Sequence, residues 1–286
     1  MKYLITSASG HLGQHVVKQM QSKVPASSLR LGIHTIAKQK LFAGTNCQFT
    51  HLDFQDTQSV DQAVNGVDVV IYIPSITYNL RQRLNEFENV LAAAQKYQVQ
   101  SLIFVGFFAD QEDNPFTMSG FYGYVPRRLA GSGLHYSVVK NALYADPLVP
   151  YLPELIQRHN VIYPVGDQPL SFISREDSAK AIASLATQPA MRDHGQVYYL
   201  TMEQNYNMVE LSSIMSQVSG HHIGYSPVSL KQFASIYAAE DDGTELASMY
   251  AGGDKGLLST VSHDFHRLTG KRPTTMTQFL TANYHN

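Results

Sequence analysis

The sequence predicts a Rossmann-type α/β fold, a doubly wound parallel sheet with a smaller, mostly helical C-terminal lobe. Three observations lead to this prediction. Residues 3–6 are apolar like a buried strand, small residues form a turn at 7–13, and apolar residues then recur at helical spacing. Farther along, apolar segments of strand length alternate with helical patterns, as parallel sheets require. The run at 67–73 is apolar almost throughout, which is typical of a central strand buried on both faces.

The strand ends in the first half predict where a ligand binds. We expect further strands at 28–33, 48–52, 101–105 and 135–139, and helices at 59–64 and along the stripe from Leu80 to Ala94. Ligands of such a sheet bind beyond the carboxyl ends of its strands, so these ends predict one crevice. The predicted cofactor-binding residues are Thr6, Ser7, Ser9, Gly10, His11, Leu12, Gly13, His34, Lys38, Asp53, Phe54, Ile73, Pro74, Ser75, Val105, Gly106 and Lys140.

The second half of the chain is less regular. Strands are expected at 161–165 and 196–201, and residues able to cap helices stand at Ser174, Asn207 and Ser229, with a last helix over 275–284. We therefore predict two domains. Residues 1–150, with later returns near 161–200, form the dinucleotide-binding domain, and residues 151–286 form a smaller lobe that covers the substrate.

Composition excludes several classes of function. The chain has 286 residues and a formal net charge of −2, which disfavours nucleic-acid binding. No apolar run approaches the roughly 20 residues that span a bilayer, so no membrane association is expected. Met1 leads directly into the first strand, which predicts no signal peptide, and the single Cys47 fits a reducing cytoplasm. The twelve histidines are scattered, so no metal site is expected.

The turn from Ser7 to Gly13 is the predicted phosphate site. A strand, a turn and a helix in this order present backbone N–H groups at a helix N-terminus, where a pyrophosphate can bind. Gly10 would let the backbone approach the phosphates, and Gly13 would let the helix pack closely on the strand. Ser7 stands where the first glycine of this motif is usual. The alternative is an ordinary strand-to-helix loop without a ligand.

The residues after the second strand bear on the choice of cofactor. This position usually meets the adenosine ribose, and an acidic residue there favours NAD. Here His34, Lys38 and Lys40 follow instead. Because a cationic pocket suits a 2′-phosphate, NADP(H) is the preferred cofactor, and NAD(H) is left open. The alternative is a solvated surface loop.

Motifs along nearly the whole chain resemble one family. They are Thr6-Ser7-Ala8-Ser9-Gly10-His11-Leu12-Gly13, Ile33-His34-Thr35-Ile36-Ala37-Lys38, Asp53-Phe54, Lys140-Asn141-Ala142-Leu143-Tyr144, Gly166-Asp167, Ser174-Arg175-Glu176-Asp177-Ser178-Ala179 and Thr274-Thr275. Together they resemble the NmrA-like family of atypical short-chain dehydrogenases/reductases, and most closely its bacterial NAD(P)H-dependent quinone oxidoreductases. The resemblance implies hydride transfer from NADPH to a quinone or similar small carbonyl. Regulatory members of the family imply the alternative, a redox sensor that binds the dinucleotide without turnover.

The chain departs from the serine, tyrosine and lysine that ordinary dehydrogenases of this superfamily use. Gly106 lies at the strand end that would bring the serine, and Arg128 takes the place of the lysine after Tyr124. Arginine is a poor proton relay. Because Pro126 lies between the two, we expect a helix to start there rather than to run through both. A sugar-nucleotide epimerase is disfavoured, since its chemistry needs the tyrosine and the lysine.

Without that triad, the predicted chemistry depends on holding the acceptor. Hydride delivery produces a quinol anion that needs only modest proton help, so the protein supplies position and an apolar slot. Phe107, Phe108 and Tyr144 are the predicted substrate-binding residues, and core packing is the alternative for the two phenylalanines. The catalytic candidates are Asn141, Tyr144 and Lys140. The expected partner is a small quinone-like molecule, and a homodimer or another protein partner is left open.

Overall fold

The structure is a computed structural model that describes residues 1–238 and 243–285. Its strands are β1 (Tyr3–Ile5), β2 (Leu29–Ile33), β3 (Gln48–His51), β4 (Val69–Tyr72), β5 (Ser101–Phe107), β6 (His135–Asn141), β7 (Leu143–Tyr144), β8 (Asn160–Val161), β9 (Leu170–Ile173), β10 (Val197–Leu200), β11 (Asn205–Tyr206) and β12 (Gly224–Tyr225). Its helices are α1 (His11–Gln21), α2 (Thr57–Val64), α3 (Leu80–Lys96), α4 (Ser119–Ala130), α5 (Leu148–Arg158), α6 (Arg175–Ala186), α7 (Pro189–Arg192), α8 (Met208–Ser219), α9 (Leu230–Ile236), α10 (Gly243–Asp254), α11 (Asp264–Thr269) and α12 (Met276–Asn283). Short 3-10 helices occupy Ala26–Ser28 and Ile36–Phe42.

The main sheet has seven strands in the order β10-β6-β5-β4-β1-β2-β3. Strand β1 pairs in parallel with both β2 and β4, so that Leu4 lies opposite Arg30 on one side and Val70 on the other. The pairs β2–β3 and β4–β5 are also parallel. The strand order reverses between β1 and β4, which is the switch point where ligands of this fold class bind. The predicted Rossmann-type α/β class is confirmed.

The apolar patterns of the sequence account for the core of this sheet. All four residues of β4 are buried, as its near-continuous apolar run predicts. Helix α1 buries Leu12, Val16, Val17 and Met20, which recur at helical spacing. None of the helices within 1–238 and 243–285 has the length and apolarity that a membrane crossing requires.

The chain divides into two compact units. The first unit comprises residues 1–106, 121–140 and 178–198, and the second comprises 107–120, 141–177 and 199–286. The second unit contains a three-stranded sheet, β11-β9-β7, and the strand pair β12-β8. Each unit is thus assembled from segments that are separated in sequence. The sequence-based prediction instead divides the chain at residue 150, with segments near 161–200 returning to the first domain. Which part binds the dinucleotide and which covers the substrate stays a prediction.

The predicted helix starts in the second unit are confirmed by their caps. The Ser174 hydroxyl accepts the Asp177 N–H at 3.1 Å, and Asn207 and Ser229 each form a complete capping box. The strand expected at 161–165 is wrong in length, because β8 ends at Val161. Pro164, which has no N–H to contribute to a strand ladder, lies inside the expected segment.

Candidate functional site

The turn between β1 and α1 leaves the start of the helix open. Gly10 is the residue before the first helical turn, and no side chain caps that turn. The Gly10 N–H donates to the Ser7 carbonyl at 2.9 Å, and the Gly10 carbonyl accepts the Gln14 N–H at 3.0 Å. The first N–H groups of a helix have no acceptor within the helix, and the helix dipole makes this end positive. The start of α1 can therefore bind an anionic group such as a phosphate.

The two glycines of this turn meet different surroundings. A Cβ atom at Gly13 would lie 2.2 Å from the Ser7 oxygen and 2.7 Å from the Ala8 oxygen, so no side chain fits there. A Cβ atom at Gly10 would lie 3.2 Å from the Ser7 oxygen, which is tight but not prohibitive. Close packing of the helix on the turn thus requires Gly13. Gly10 is not required in the same way by the protein's own packing.

Ser7 keeps the turn conformation that a glycine usually provides. Its φ angle is 48°, in the left-handed region where a side chain is unfavourable by about 1–2 kcal/mol. Its hydroxyl donates to the Ile73 carbonyl at 2.9 Å. A hydrogen bond of this kind contributes about 1 kcal/mol, so it offsets much of the conformational cost. The serine therefore preserves the turn and ties it to the segment after β4.

The segment after β4 is held by side chains from two directions. From the side of β1, the Thr6 hydroxyl donates to the Ile73 carbonyl and accepts the Ile73 N–H, each at 2.8 Å. From helix α3, Arg83 donates to the Ser75 carbonyl. The Ser75 hydroxyl in turn donates to the Glu86 carboxylate at 2.5 Å. These bonds fix the backbone at the predicted cofactor-binding residues Ile73 and Ser75.

Arg83 is a buried charge that the sequence reasoning missed. Its side chain is 6% exposed and lies over the rings of Phe121 and Tyr122, at 5.3 and 5.9 Å from their centroids. It also donates to the Tyr122 hydroxyl at 3.2 Å. Its burial could have been predicted from its spacing along the helix, because Arg83 and the buried Glu86 share the inner face of α3 with Phe87. Burial raises the pKa of the nearby Tyr72, so that hydroxyl stays protonated.

The ends of β2 and β3 carry exposed basic and aromatic groups. His34 directly follows β2, and its ring centroid lies 6.0 Å from that of His51, the last residue of β3. Lys38 is exposed on the 3-10 helix that follows. The Ala8 N–H donates to the Gly32 carbonyl at 3.0 Å, which joins the end of β2 to the turn before α1. The structure thus brings His34 to the same sheet edge as the turn.

Asp53 and Phe54 follow β3 in a constrained loop. The Asp53 N–H donates to the Ser59 hydroxyl at 2.9 Å, and its carboxylate accepts the Gln55 N–H at 2.9 Å. Phe54 is buried, and its carbonyl accepts the Asn89 amide at 2.8 Å. A polar cleft of about 600 Å³ opens beside this loop, lined by Gln55, Thr57, Asn79, Arg81, Gln82, Asn85, Glu86, Glu88 and Asn89. Within residues 1–238 and 243–285, no cluster of side chains suits a metal ion.

The predicted substrate-binding phenylalanines lie in the second unit and differ in exposure. Phe108 is 1% exposed, and its N–H donates to the Asn141 carbonyl at 3.1 Å, which joins the tips of β5 and β6. Phe107 is half-buried between two rings, with centroids 5.3 Å from Phe108 and 6.0 Å from Phe116. Phe108 is therefore a core residue in this structure, and Phe107 is the one with surface to offer a ligand.

Two of the three catalytic candidates are buried. Asn141 is 1% exposed and Lys140 is 9% exposed, whereas Tyr144 is half-buried. The guanidinium of Arg175 lies 5.4 Å from the centre of the Tyr144 ring, within the range of a cation–π contact. The Arg175 N–H donates to the Asp146 carboxylate at 2.9 Å. Arg175 belongs to one of the family motifs in the sequence, but its contact with Tyr144 is visible only in the structure.

The expectation that a helix starts at Pro126 is wrong. Helix α4 runs from Ser119 to Ala130 with Pro126 inside it, so it carries both Tyr124 and Arg128. Proline removes one helical hydrogen bond, and the helix tolerates that loss. The Tyr124 hydroxyl donates to the Glu88 carboxylate at 2.6 Å, and Arg128 binds the same carboxylate at 3.0 Å. The hydrogen bond to Glu88 raises the pKa of Tyr124, which is the opposite of what a catalytic tyrosine needs.

The fold and the β1–α1 turn together are those of a Rossmann-type protein. The chain belongs to the NmrA-like family, whose sequence model matches residues 2–280. It is 25% identical over 278 residues to quinone oxidoreductase 2 of Escherichia coli, covering 96% of each chain.

Two solved structures are similar over almost the whole chain. A Staphylococcus aureus protein described as a nucleoside-diphosphate-sugar epimerase is 38% identical, with a TM-score of 0.93 over 98% of this chain and 100% of that one. An NADPH-dependent quinone oxidoreductase of E. coli, solved with NADPH, is 24% identical, with a TM-score of 0.90 over 98% and 99% of the two chains. These similarities confirm the family resemblance and the fold class.

Proposed function

We propose that this protein is an NADPH-dependent reductase that transfers hydride to a quinone or a similar small carbonyl acceptor. The observation that carries the proposal is the uncapped start of α1 at the switch point of the sheet, joined to the end of β2, where His34 stands. A positive helix end beside a basic edge suits a pyrophosphate and a 2′-phosphate. The similarity to quinone oxidoreductase 2 and to an NADPH-bound structure supports the same assignment.

The residues of the first unit would hold the dinucleotide from one strand end to the next. The turn from Ser7 to Gly13 would bind the pyrophosphate through backbone N–H groups. His34 and Lys38 would face the 2′-phosphate. The other proposed contacts lie along the strand ends, at Thr6, Asp53, Phe54, Ile73, Pro74, Ser75, Val105, Gly106 and Lys140.

The proposed reaction needs little acid–base catalysis from the protein. When bound, NADPH supplies a hydride, which carries two electrons and one proton, and the acceptor takes a second proton from water to give a quinol and NADP⁺. Phe107 and Tyr144 would hold the acceptor ring, and the Lys140 ammonium or the Asn141 amide would hydrogen-bond its oxygen. Both polar side chains are buried, so a local shift must expose one of them to the acceptor. Catalysis of this kind comes mainly from position rather than from proton relay.

Two other functions remain rivals. An epimerase needs a tyrosine made acidic by a lysine, whereas here Tyr124 is bound to Glu88 and Arg128 replaces the lysine. These residues therefore do not support epimerase activity, although the S. aureus relative is described as an epimerase. The second candidate is a regulatory protein that binds NAD(P) without turnover, and the same missing triad favours it. We also propose a cytoplasmic location, which rests on the single, buried Cys47.

Titration and turnover together test the proposal. NADPH binding is followed by nicotinamide fluorescence, which is easily seen because the chain contains no tryptophan. Steady-state NADPH oxidation is then measured with a soluble benzoquinone. Gly10→Val should weaken NADPH binding by about 100-fold or more, roughly 2.7 kcal/mol, while leaving the chain folded. Equal binding by parent and variant would place the cofactor elsewhere. Tight NADPH binding without quinone turnover would instead support the regulatory protein.

A further inference from the structure

We propose that His51 is a second cofactor-discriminating residue, which acts with His34 as one pH-dependent anion site for the 2′-phosphate of NADPH. This inference rests on the proposed function, because it assumes that the adenosine end of the cofactor lies at the ends of β2 and β3. It adds to that function a residue outside the predicted cofactor contacts and a dependence of cofactor choice on pH.

The parallel pairing of β2 and β3 brings the two histidines together. Ile33 lies opposite His51 in the register, so His34 is one residue beyond the pair. The two ring centroids are 6.0 Å apart with an interplanar angle of 32°, and both side chains are exposed. A phosphate has three oxygens that accept hydrogen bonds, so one group can take a donor from each ring.

The Ser59 hydroxyl lies where it can accept a hydrogen bond from Nδ1 of His51. The Ser59 hydroxyl donates to the His51 carbonyl at 3.2 Å, accepts the Asp53 N–H at 2.9 Å and lies 3.4 Å from His51 Nδ1. A hydroxyl has one donor and two acceptor positions. It can therefore accept from a protonated Nδ1 as well as from Asp53, which leaves Nε2 of His51 to donate to an anion.

The elements beside this pair carry both cations and carboxylates. Lysines from the 3-10 helix after β2 add positive charge, and the 3-10 helix at Ala26–Ser28 adds none. One carboxylate is paired with a lysine, whereas the two that accept backbone N–H groups keep their negative charge. These groups are Lys38 and Lys40, Asp53 bound to the Gln55 N–H, Asp56 bound to the Gln58 N–H, Asp61 bound to Lys96, and Arg30 bound to the carbonyls of Ala63 and Asn65. Attraction of the 2′-phosphate should therefore strengthen when the histidines become protonated.

The test measures the ratio of the NADH and NADPH dissociation constants at pH 8, 7 and 6, the range in which histidine gains a proton. The variants are His34→Asn, His51→Asn, the double variant and His51→Lys. In the parent, the ratio should rise about tenfold from pH 8 to pH 6, and in each single variant about threefold. The phosphate itself gains a proton near pH 6, which weakens its attraction to cations as the pH falls. The double variant lacks both histidines and therefore measures this opposing effect alone. His51→Lys should raise the NADPH preference at pH 8, because lysine is already charged there, and should reduce its rise on acidification.

Each outcome decides between the proposals. A rise in His51→Asn equal to that of the parent would overturn the role of His51 while leaving NADPH binding intact. A smaller rise in His51→Asn, with an unchanged rise in the control His222→Asn, would establish it. His222 is an exposed histidine that follows α8. If the parent binds neither cofactor at any pH, the proposed function fails, and the inference fails with it.

Discussion

The strand ends of the first unit and those of the second unit differ in the side-chain contacts that hold them. In the first unit, Thr6, Ser7 and Arg83 fix the backbone after β4 through hydrogen bonds. In the second unit, Phe107 is held between two aromatic rings, and Tyr144 lies beside Arg175. Hydrogen bonds specify exact backbone positions, whereas contacts between rings tolerate small changes of position. The first arrangement would suit the dinucleotide that we propose for this unit, and the second would suit acceptors of varied shape.

The largest effect should come from filling the space at Gly13. In Gly13→Ala the new Cβ meets two backbone oxygens, so the turn or the helix must move, and we expect the free energy of unfolding to fall by about 3 kcal/mol. Gly10→Ala is the matched control, with one contact at 3.2 Å and an expected loss below about 1 kcal/mol. Urea unfolding measures both, and equal losses would contradict the distinct roles of the two glycines.

Removal of the buried guanidinium should be nearly as costly. Arg83→Met removes the hydrogen bonds that Arg83 donates to the Ser75 carbonyl and the Tyr122 hydroxyl, and we expect a loss of about 3 kcal/mol in unfolding free energy. Arg81→Met changes an exposed arginine two residues earlier in the same helix, and should cost less than about 0.5 kcal/mol. If both variants unfold at the same urea concentration, Arg83 does not hold the segment after β4.

Turnover should distinguish the acceptor region from the helix that carries Tyr124. We expect Asn141→Ala to lower kcat/KM for benzoquinone by about tenfold, which is roughly 1.4 kcal/mol. Tyr124→Phe should change it by less than about threefold, because its hydroxyl is bound to Glu88, whereas loss of a general acid costs about 10²–10⁴. A collapse of turnover in Tyr124→Phe alone would show that a tyrosine mechanism operates.

The smallest expected effect concerns Ser7. Ser7→Ala keeps the left-handed conformation and loses the bond to Ile73, while Ser7→Gly loses the bond but relieves the conformational cost. The glycine variant should therefore be the more stable of the two, by about 1 kcal/mol in unfolding free energy. Urea unfolding of the pair tests this, and an alanine variant as stable as the glycine variant would rule out strain at this position.

The sequence by itself determined the fold class, the positions of the first strands along the chain and the turn that begins α1. Apolar periodicity is a local property, and so is the need for a small residue at Gly13 or a cap at Asn207. These features could be predicted because neighbours along the chain produce them. The family could be assigned on the same basis, since its motifs are contiguous in sequence.

Only the tertiary structure decided how distant residues are paired. Helix α4 continues through Pro126, Tyr124 binds Glu88 across 36 positions, and His34 meets His51 because β2 and β3 run side by side. Arg83 is buried because partners from other elements surround its guanidinium. Such contacts depend on which elements become neighbours after folding, and a buried charge is tolerated only when those neighbours supply hydrogen bonds.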